Sequence, residues 1–318
     1  MAKLAIVGTG FVGTSLGLAL RPSKLFDEIS GYDARRGRAQ QARRAGGIDE
    51  EARSAAAAAA GAAVVLVTAP GAELPAVMGE LASGLAAAAI VSETSRWKVP
   101  ALEAARALPE AADFIGGRPI LDQAGSGAEE ARAEVFRNAV WCLTPSPRTS
   151  AAAIDAMSAV ISAAGAQPYF LNPQEHDALS ATSELLPAAT LASLLTALTS
   201  NPAWVDSGRL AADSFDRFAH LVEEVQPSLW HEAAANSAAL TRGLDALVGQ
   251  LLDLRARVEA QDAEGLARDW EATRAAIGRW RRDKRQLEQS TMPPKSELRP
   301  NLFGNMAALG RLRGKEQR

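Results

Sequence analysis

Gly8-Thr9-Gly10-Phe11-Val12-Gly13 follows a short apolar run, Leu4 to Val7, and opens a helical stretch. Each glycine has a physical task in that arrangement. Gly8 allows a tight turn off the strand, Gly10 lets a pyrophosphate approach the backbone, and Gly13 lets the helix pack on the strand. Asp33 ends a second apolar run (Ile29 to Tyr32), 20 residues beyond Gly13. A carboxylate there accepts hydrogen bonds from ribose hydroxyls. The glycines alone would also suit a turn in a cofactor-free α/β domain; Asp33 tips the reading to a dinucleotide. Its charge favours NAD, because it would repel a 2′-phosphate, while Arg35 and Arg36 leave NADP as the alternative. A second cofactor contact is expected at Thr68-Ala69-Pro70, where a plain strand-ending turn is the other reading.

Working outward, short apolar runs alternate with alanine-rich helical stretches through the first half. Candidate strands are Leu4 to Val7, Ile29 to Tyr32, Ala63 to Thr68, Ile90 to Val91, Phe114 to Ile115, Val140 to Thr144 and Pro168 to Leu171. That alternation predicts an α/β fold, a doubly wound Rossmann-type parallel sheet, over 1–171. From Pro173 to about Arg285 apolar residues recur at helical spacing, as in Leu240, Leu244, Leu247, Leu251 and Leu254. An all-helical second domain is expected over 172–285. Its apolar faces exceed what one small bundle buries, so a homodimer through this domain is expected. Residues 286–318 read as an extension in which Leu302, Phe303, Met306, Leu309 and Leu312 could form one short helix. From Gly278 to Arg318 eight Arg and three Lys face four acidic residues, so this end is basic.

Composition narrows the class. The chain has 318 residues, 47% hydrophobic and 22% charged, with a net charge of −3. This is an ordinary globular balance with no global electrostatic drive toward nucleic acid. A single cysteine, Cys142, leaves no internal disulfide and no paired-cysteine metal site. No signal peptide and no membrane span are expected, and the working location is cytoplasmic.

The order of motifs resembles the prephenate dehydrogenase family, which includes arogenate dehydrogenases. The resemblance runs from about Lys3 to Arg285. It is carried by Gly8 to Gly13, Gly31-Tyr32-Asp33, Gly46-Gly47-Ile48-Asp49, Gly116-Gly117-Arg118-Pro119 and Ser126-Gly127. It continues through Phe136-Arg137-Asn138-Ala139, Leu143-Thr144-Pro145, Glu175-His176-Asp177, Pro187, Asp216-Arg217, Pro227, Leu229-Trp230 and Asn236. The family implies a nicotinamide-dependent oxidation of prephenate or arogenate with loss of carbon dioxide. It also implies a small anionic substrate.

The resemblance breaks where the family does its acid–base work. A histidine usual after the paired glycines is Arg118 here. The stretch usually carrying two histidines reads Glu184-Leu185-Leu186-Pro187-Ala188, and a usual serine falls on Arg96. The arginine that grips a substrate carboxylate is matched by Arg217. Arginine stays charged at neutral pH, so it donates and pairs but does not serve as a base. Three histidines remain, His176, His220 and His231; the first reads as a structural hinge or cap, the others as surface residues. Glu184, Asp122 and Glu93 are the carboxylates near the altered positions, each either a base or an ion-pair partner for Arg96 or Arg118. Arg96, Arg118 and Arg217 together would favour a substrate with two or more carboxylates. Two rival readings stand beside the dehydrogenase: a non-catalytic NAD-binding relative acting as sensor or partner-binding dimer, and a dehydrogenase of another polycarboxylate.

Overall fold

The computed structural model describes residues 2–289, apart from 123, 124, 126, 224, 226–229 and 231–236. Ser126, Pro227, Leu229, His231, Asn236 and the proposed tail helix at Leu302 to Leu312 therefore lie outside the described residues. The chain divides into two compact units, Met1–His176 with Asp283–Arg318, and Asp177–Arg282.

The first unit is an eight-stranded sheet in the order β3-β2-β1-β4-β5-β6-β7-β8. Its strands are β1 (Lys3–Val7), β2 (Glu28–Tyr32), β3 (Glu50–Glu51), β4 (Val64–Val67), β5 (Ile90–Glu93), β6 (Asp113–Pro119), β7 (Val140–Pro145) and β8 (Gln167–Phe170). At the centre, β4 reads Val-Val-Leu-Val and every residue is buried. Such a run suits a parallel strand covered on both faces, as here. One core forms around Leu4, Ile6, Val64, Leu66, Ile90 and Ile115 under helices α1 (Phe11–Leu20) and Ala151–Ala163. The other forms around Val65, Val67, Val91 and Phe114 under Leu74–Leu81 and Lys98–Ala104.

Three features depart from the sequence reading. The sheet is not wholly parallel, because β6 and β7 run antiparallel, with Arg118 opposite Cys142. The connection from β6 to β7 spans residues 120–139 and, among its described residues, contains only 3-10 turns, so no described element carries the chain back for a parallel return. Strand β6 also continues past Ile115 through Gly116-Gly117-Arg118-Pro119. Glycines lower strand propensity, which hides this extension from pattern reading. The two-residue β3 was missed because it consists of two exposed glutamates.

The second unit is helical throughout its described residues. A π turn, Ala181–Leu185, precedes the helix Leu186–Thr199. Pro187 explains the irregularity: it has no N–H to donate to Ser183 four residues back, so the ladder is reset there. Further helices span Asp213–Glu223, Ser237–Glu259 and Ala263–Gln289. Gly243 lets Ser237–Glu259 approach Leu186, whose Cδ2 lies 2.9 Å from where a side chain on Gly243 would begin. At the last corner Asp262 accepts the Gly265 N–H at 2.9 Å and pairs with Arg257 at 3.0 Å. These contacts, the backbone bond first, hold its carboxyl below the usual carboxylate range.

Pro173–Thr199 is a continuous 27-residue helical stretch, long and apolar enough by length and composition to cross a membrane, with a best-window mean hydropathy of 1.3. Only 22% of that window is buried.

Candidate active site

The carboxyl ends of β1, β2 and β4 converge on the glycine loop. Gly8 adopts φ +97°, in the left-handed region that disfavours a side chain. A Cβ there would lie 2.8 Å from the Thr68 carbonyl carbon. The Thr68 hydroxyl donates to the Gly8 carbonyl, which ties the β4 end to the loop. A Cβ on Gly13 would fall on that same Gly8 oxygen and 2.8 Å from Thr68 Oγ1. Helix α1 can therefore sit this close to β1 only because residue 13 is glycine.

Gly10 caps α1 without any side-chain hydrogen bond to the first turn. By contrast, Ser54 and Ser150 cap their helices by accepting from Ala57 and Ala153. The first-turn N–H groups of α1 thus face outward beside a backbone stripped of side chains, an arrangement suited to phosphate oxygens. Asp33 is held in place by two backbone donors, the Thr9 N–H at 2.8 Å on Oδ2 and the Arg35 N–H at 2.9 Å on Oδ1. Each oxygen retains lone-pair capacity for a ribose hydroxyl. Phe11 and Ala69 are buried, Val12 and Thr68 half-buried, and Pro70, Arg35 and Arg36 exposed. The loop after β4 meets the loop after β5, where a side chain on Gly71 would begin 3.7 Å from Ser95 Cβ. The dinucleotide suggested by the sequence fits these residues.

The next strand ends carry the second group of candidates. Arg96 lies in the loop after β5, and Arg118 lies near the end of β6, with Glu93 paired in register to Gly116. Both arginines are half-buried and leave adjacent strands at the same sheet edge. Glu93 is engaged by another cation, Lys98, rather than by these arginines. Its side chain is wholly buried and pairs with the wholly buried Lys98, whose Nζ also donates to the Gly117 carbonyl at 2.7 Å. Its second oxygen accepts the Ser95 N–H at 2.6 Å. This Lys98–Glu93 pair, with no role in the sequence reading, ties the β5 loop to the strand that carries Arg118. A lysine beginning a helix gives no signal of burial, so only the packing identifies it.

Asp122 also has another partner, since it pairs with Lys284 at 2.8 Å on an exposed surface. Glu184 sits half-buried in the π turn of the second unit, and Arg217 is an exposed residue of Asp213–Glu223. His176 is buried at 2% exposure and closes the first unit. His220 is exposed and lies 3.8 Å from Glu223. Two more contacts surround the glycine loop: Arg132 stacks over the Phe11 ring at 5.9 Å, and its N–H donates to Ser15 at 3.0 Å.

Comparison with known proteins agrees with this geometry. A family profile described as prephenate dehydrogenase, nucleotide-binding domain, matches residues 16–170. The chain is 26% identical over 269 residues to a prephenate dehydrogenase of Bacillus subtilis (strain 168), covering 83% of this chain and 72% of that one. It is 29% identical over 262 residues to a probable prephenate dehydrogenase of Streptomyces niveus, covering 80% and 68%. Its fold matches the crystal structure of an A. aeolicus prephenate dehydrogenase in complex with hydroxyphenyl propionate and NAD+, at a TM-score of 0.79 and 22% identity, over 88% of this chain and 98% of that one. With the glycine cradle, the anchored Asp33 and the ordered motifs, these findings show a chain similar to prephenate dehydrogenases, whose nucleotide-binding domain is matched over residues 16–170.

Proposed function

We propose that this protein is an NAD-dependent oxidoreductase of the prephenate dehydrogenase type, acting on prephenate, arogenate or a related anionic ring compound. The observation that carries the reading is the cradle formed by Gly8, Gly13, Thr68 and the uncapped start of α1, with Asp33 fixed beside it. NAD bound there would supply the hydride acceptor. The chain's own residues would do the rest. Gly8 to Gly13 would seat the pyrophosphate, and Thr68, Ala69 and Pro70 would border the nicotinamide ribose.

Arg96 and Arg118 would take substrate carboxylates as charged donors. Bidentate guanidinium–carboxylate pairing fixes orientation as well as charge. Glu184, the carboxylate the sequence offers where the family has histidine, sits in a π turn of the second unit, a local irregularity that recurs at functional positions.

The test is reduced-cofactor absorbance with the purified full chain, NAD or NADP, and prephenate or arogenate. Turnover with NAD is the expected result. In Arg118→Gln the KM for the substrate should rise about tenfold or more, the scale of a lost charged hydrogen bond, at unchanged NAD affinity. NAD binding without turnover of any of these substrates would favour the non-catalytic relative instead.

A homodimer through the second unit is part of the same reading. Val248, Leu251, Leu252, Leu254 and Val258 on Ser237–Glu259 are each about half exposed, at 49–57%. An apolar surface of this extent calls for a cover. The same helix carries Asp245, Asp253, Arg255 and Arg257. Charges at that density would be costly in a bilayer core, so a second copy is the better cover. Light scattering should report twice the 33.3 kDa chain mass, and Leu251→Asp should shift it to monomer. A wild-type monomer that binds lipid vesicles would overturn this. The lone buried thiol, Cys142, fits a reducing, cytoplasmic setting.

A further inference from the structure

We infer that Arg38 is a pyrophosphate-contacting residue of the dinucleotide site. The inference rests on the NAD reading above and adds a residue to it. Gly37 takes φ +84° and turns the chain after β2, so that the helix Arg38–Arg44 begins beside the glycine loop. Nη1 of Arg38 lies 3.4 Å from the point where a side chain on Gly10 would begin. Gly10 is both the cap of α1 and the position at which the missing side chain admits the pyrophosphate.

The charge balance around Arg38 points the same way. Arg35 and Arg36 are exposed, whereas Arg38 is half-buried. Asp33 is committed to the Thr9 and Arg35 N–H groups. Among the described residues no ion pair engages Arg38. A guanidinium is thus held beside the positive end of α1 without an ion-pair partner among the described residues. Two like fields so close are unfavourable until an anion lies between them. A guanidinium fork and a row of helix N–H groups are together the donor set that phosphate oxygens take.

The position over Gly10, rather than at the tip of Asp33, selects the pyrophosphate over a 2′-phosphate. The contact is therefore common to NAD and NADP. It also explains how a loop that carries three arginines next to Asp33 still serves NAD.

The experiment is calorimetric titration of the full-length wild type, Arg38→Gln and Arg38→Lys with NAD, NADP and ADP-ribose. Thermal melts alongside confirm that each variant is folded. In Arg38→Gln all three affinities should fall about tenfold or more, the scale of a charge-assisted contact, with Arg38→Lys between it and the wild type. NAD affinity unchanged in Arg38→Gln overturns the inference. A loss confined to NADP also overturns it, because it assigns the cation to the 2′-phosphate. Failure of the wild type to bind any of the three refutes the dinucleotide reading itself, which separates the two failures.

Discussion

Replacing Lys98 by methionine is expected to destabilise the protein by about 3–5 kcal/mol, the scale of breaking a buried ion pair by removing one partner. The side chains of Lys98 and Glu93 are both fully buried. Without the ammonium, the Glu93 carboxylate keeps one backbone donor, the Ser95 N–H, and no compensating charge from Lys98. The Gly117 carbonyl loses its 2.7 Å bond at the same time. Much of the loss should be recovered in Lys98→Met with Glu93→Leu, because an apolar pair of similar volume removes the stranded charge. What remains is the unsatisfied Gly117 carbonyl, about 1–3 kcal/mol. Urea unfolding of the three proteins measures this. A Lys98→Met variant with the wild-type midpoint would sink the argument, as would a double variant no better than the single. Gly117 immediately precedes Arg118, so the single variant should also raise the KM for substrate.

Gly13→Ala carries the second large effect, and it falls on cofactor binding. The added methyl would land on the Gly8 carbonyl oxygen and 3.0 Å from Ile6 Cγ2. Neither neighbour can yield, since one is backbone and the other belongs to the core around β1. Helix α1 must therefore move off the strand, carrying its first-turn N–H groups away from the loop. Displacements of this size defeat sites built on positioned backbone donors. NAD affinity should fall about 100-fold or more, nearly 3 kcal/mol, with about 1–3 kcal/mol of stability lost to overpacking. Gly79→Ala in Leu74–Leu81 is the control, because nothing lies within 4 Å of its added methyl. It should bind NAD as the wild type does and melt at the same temperature or slightly higher. Titration with NAD that finds Gly13→Ala as tight as the wild type would refute the close-packing account.

The two effects differ in how visible they were beforehand. Gly13 stands in a short motif whose demands are local: a strand, a tight turn and a helix start within a few residues. Asp33 is similar, being marked by its place at the end of the next apolar run. The central strands were legible for the same reason, since burial on both faces leaves an unbroken apolar stretch such as Val64–Val67. Where that signature fails, the reading failed. Strand β3 is two exposed glutamates, and the end of β6 is glycine, glycine, arginine and proline. The antiparallel turn of β7 left no mark in its own composition, because a buried strand looks the same in either direction.

The chain order of amino acids, taken alone, determined the dinucleotide loop, the α/β character of the first half and the helical second half. These depend on residue type and short-range spacing, which a linear text preserves. Tertiary structure alone decided which charges meet. It gave Glu93 to Lys98 rather than to Arg96 or Arg118, Asp122 to Lys284, and the space over Gly10 to Arg38. The reason is that an ion pair depends on distance and burial between side chains from separate elements. Both are set by the packing of strands and helices, which no spacing along the chain records.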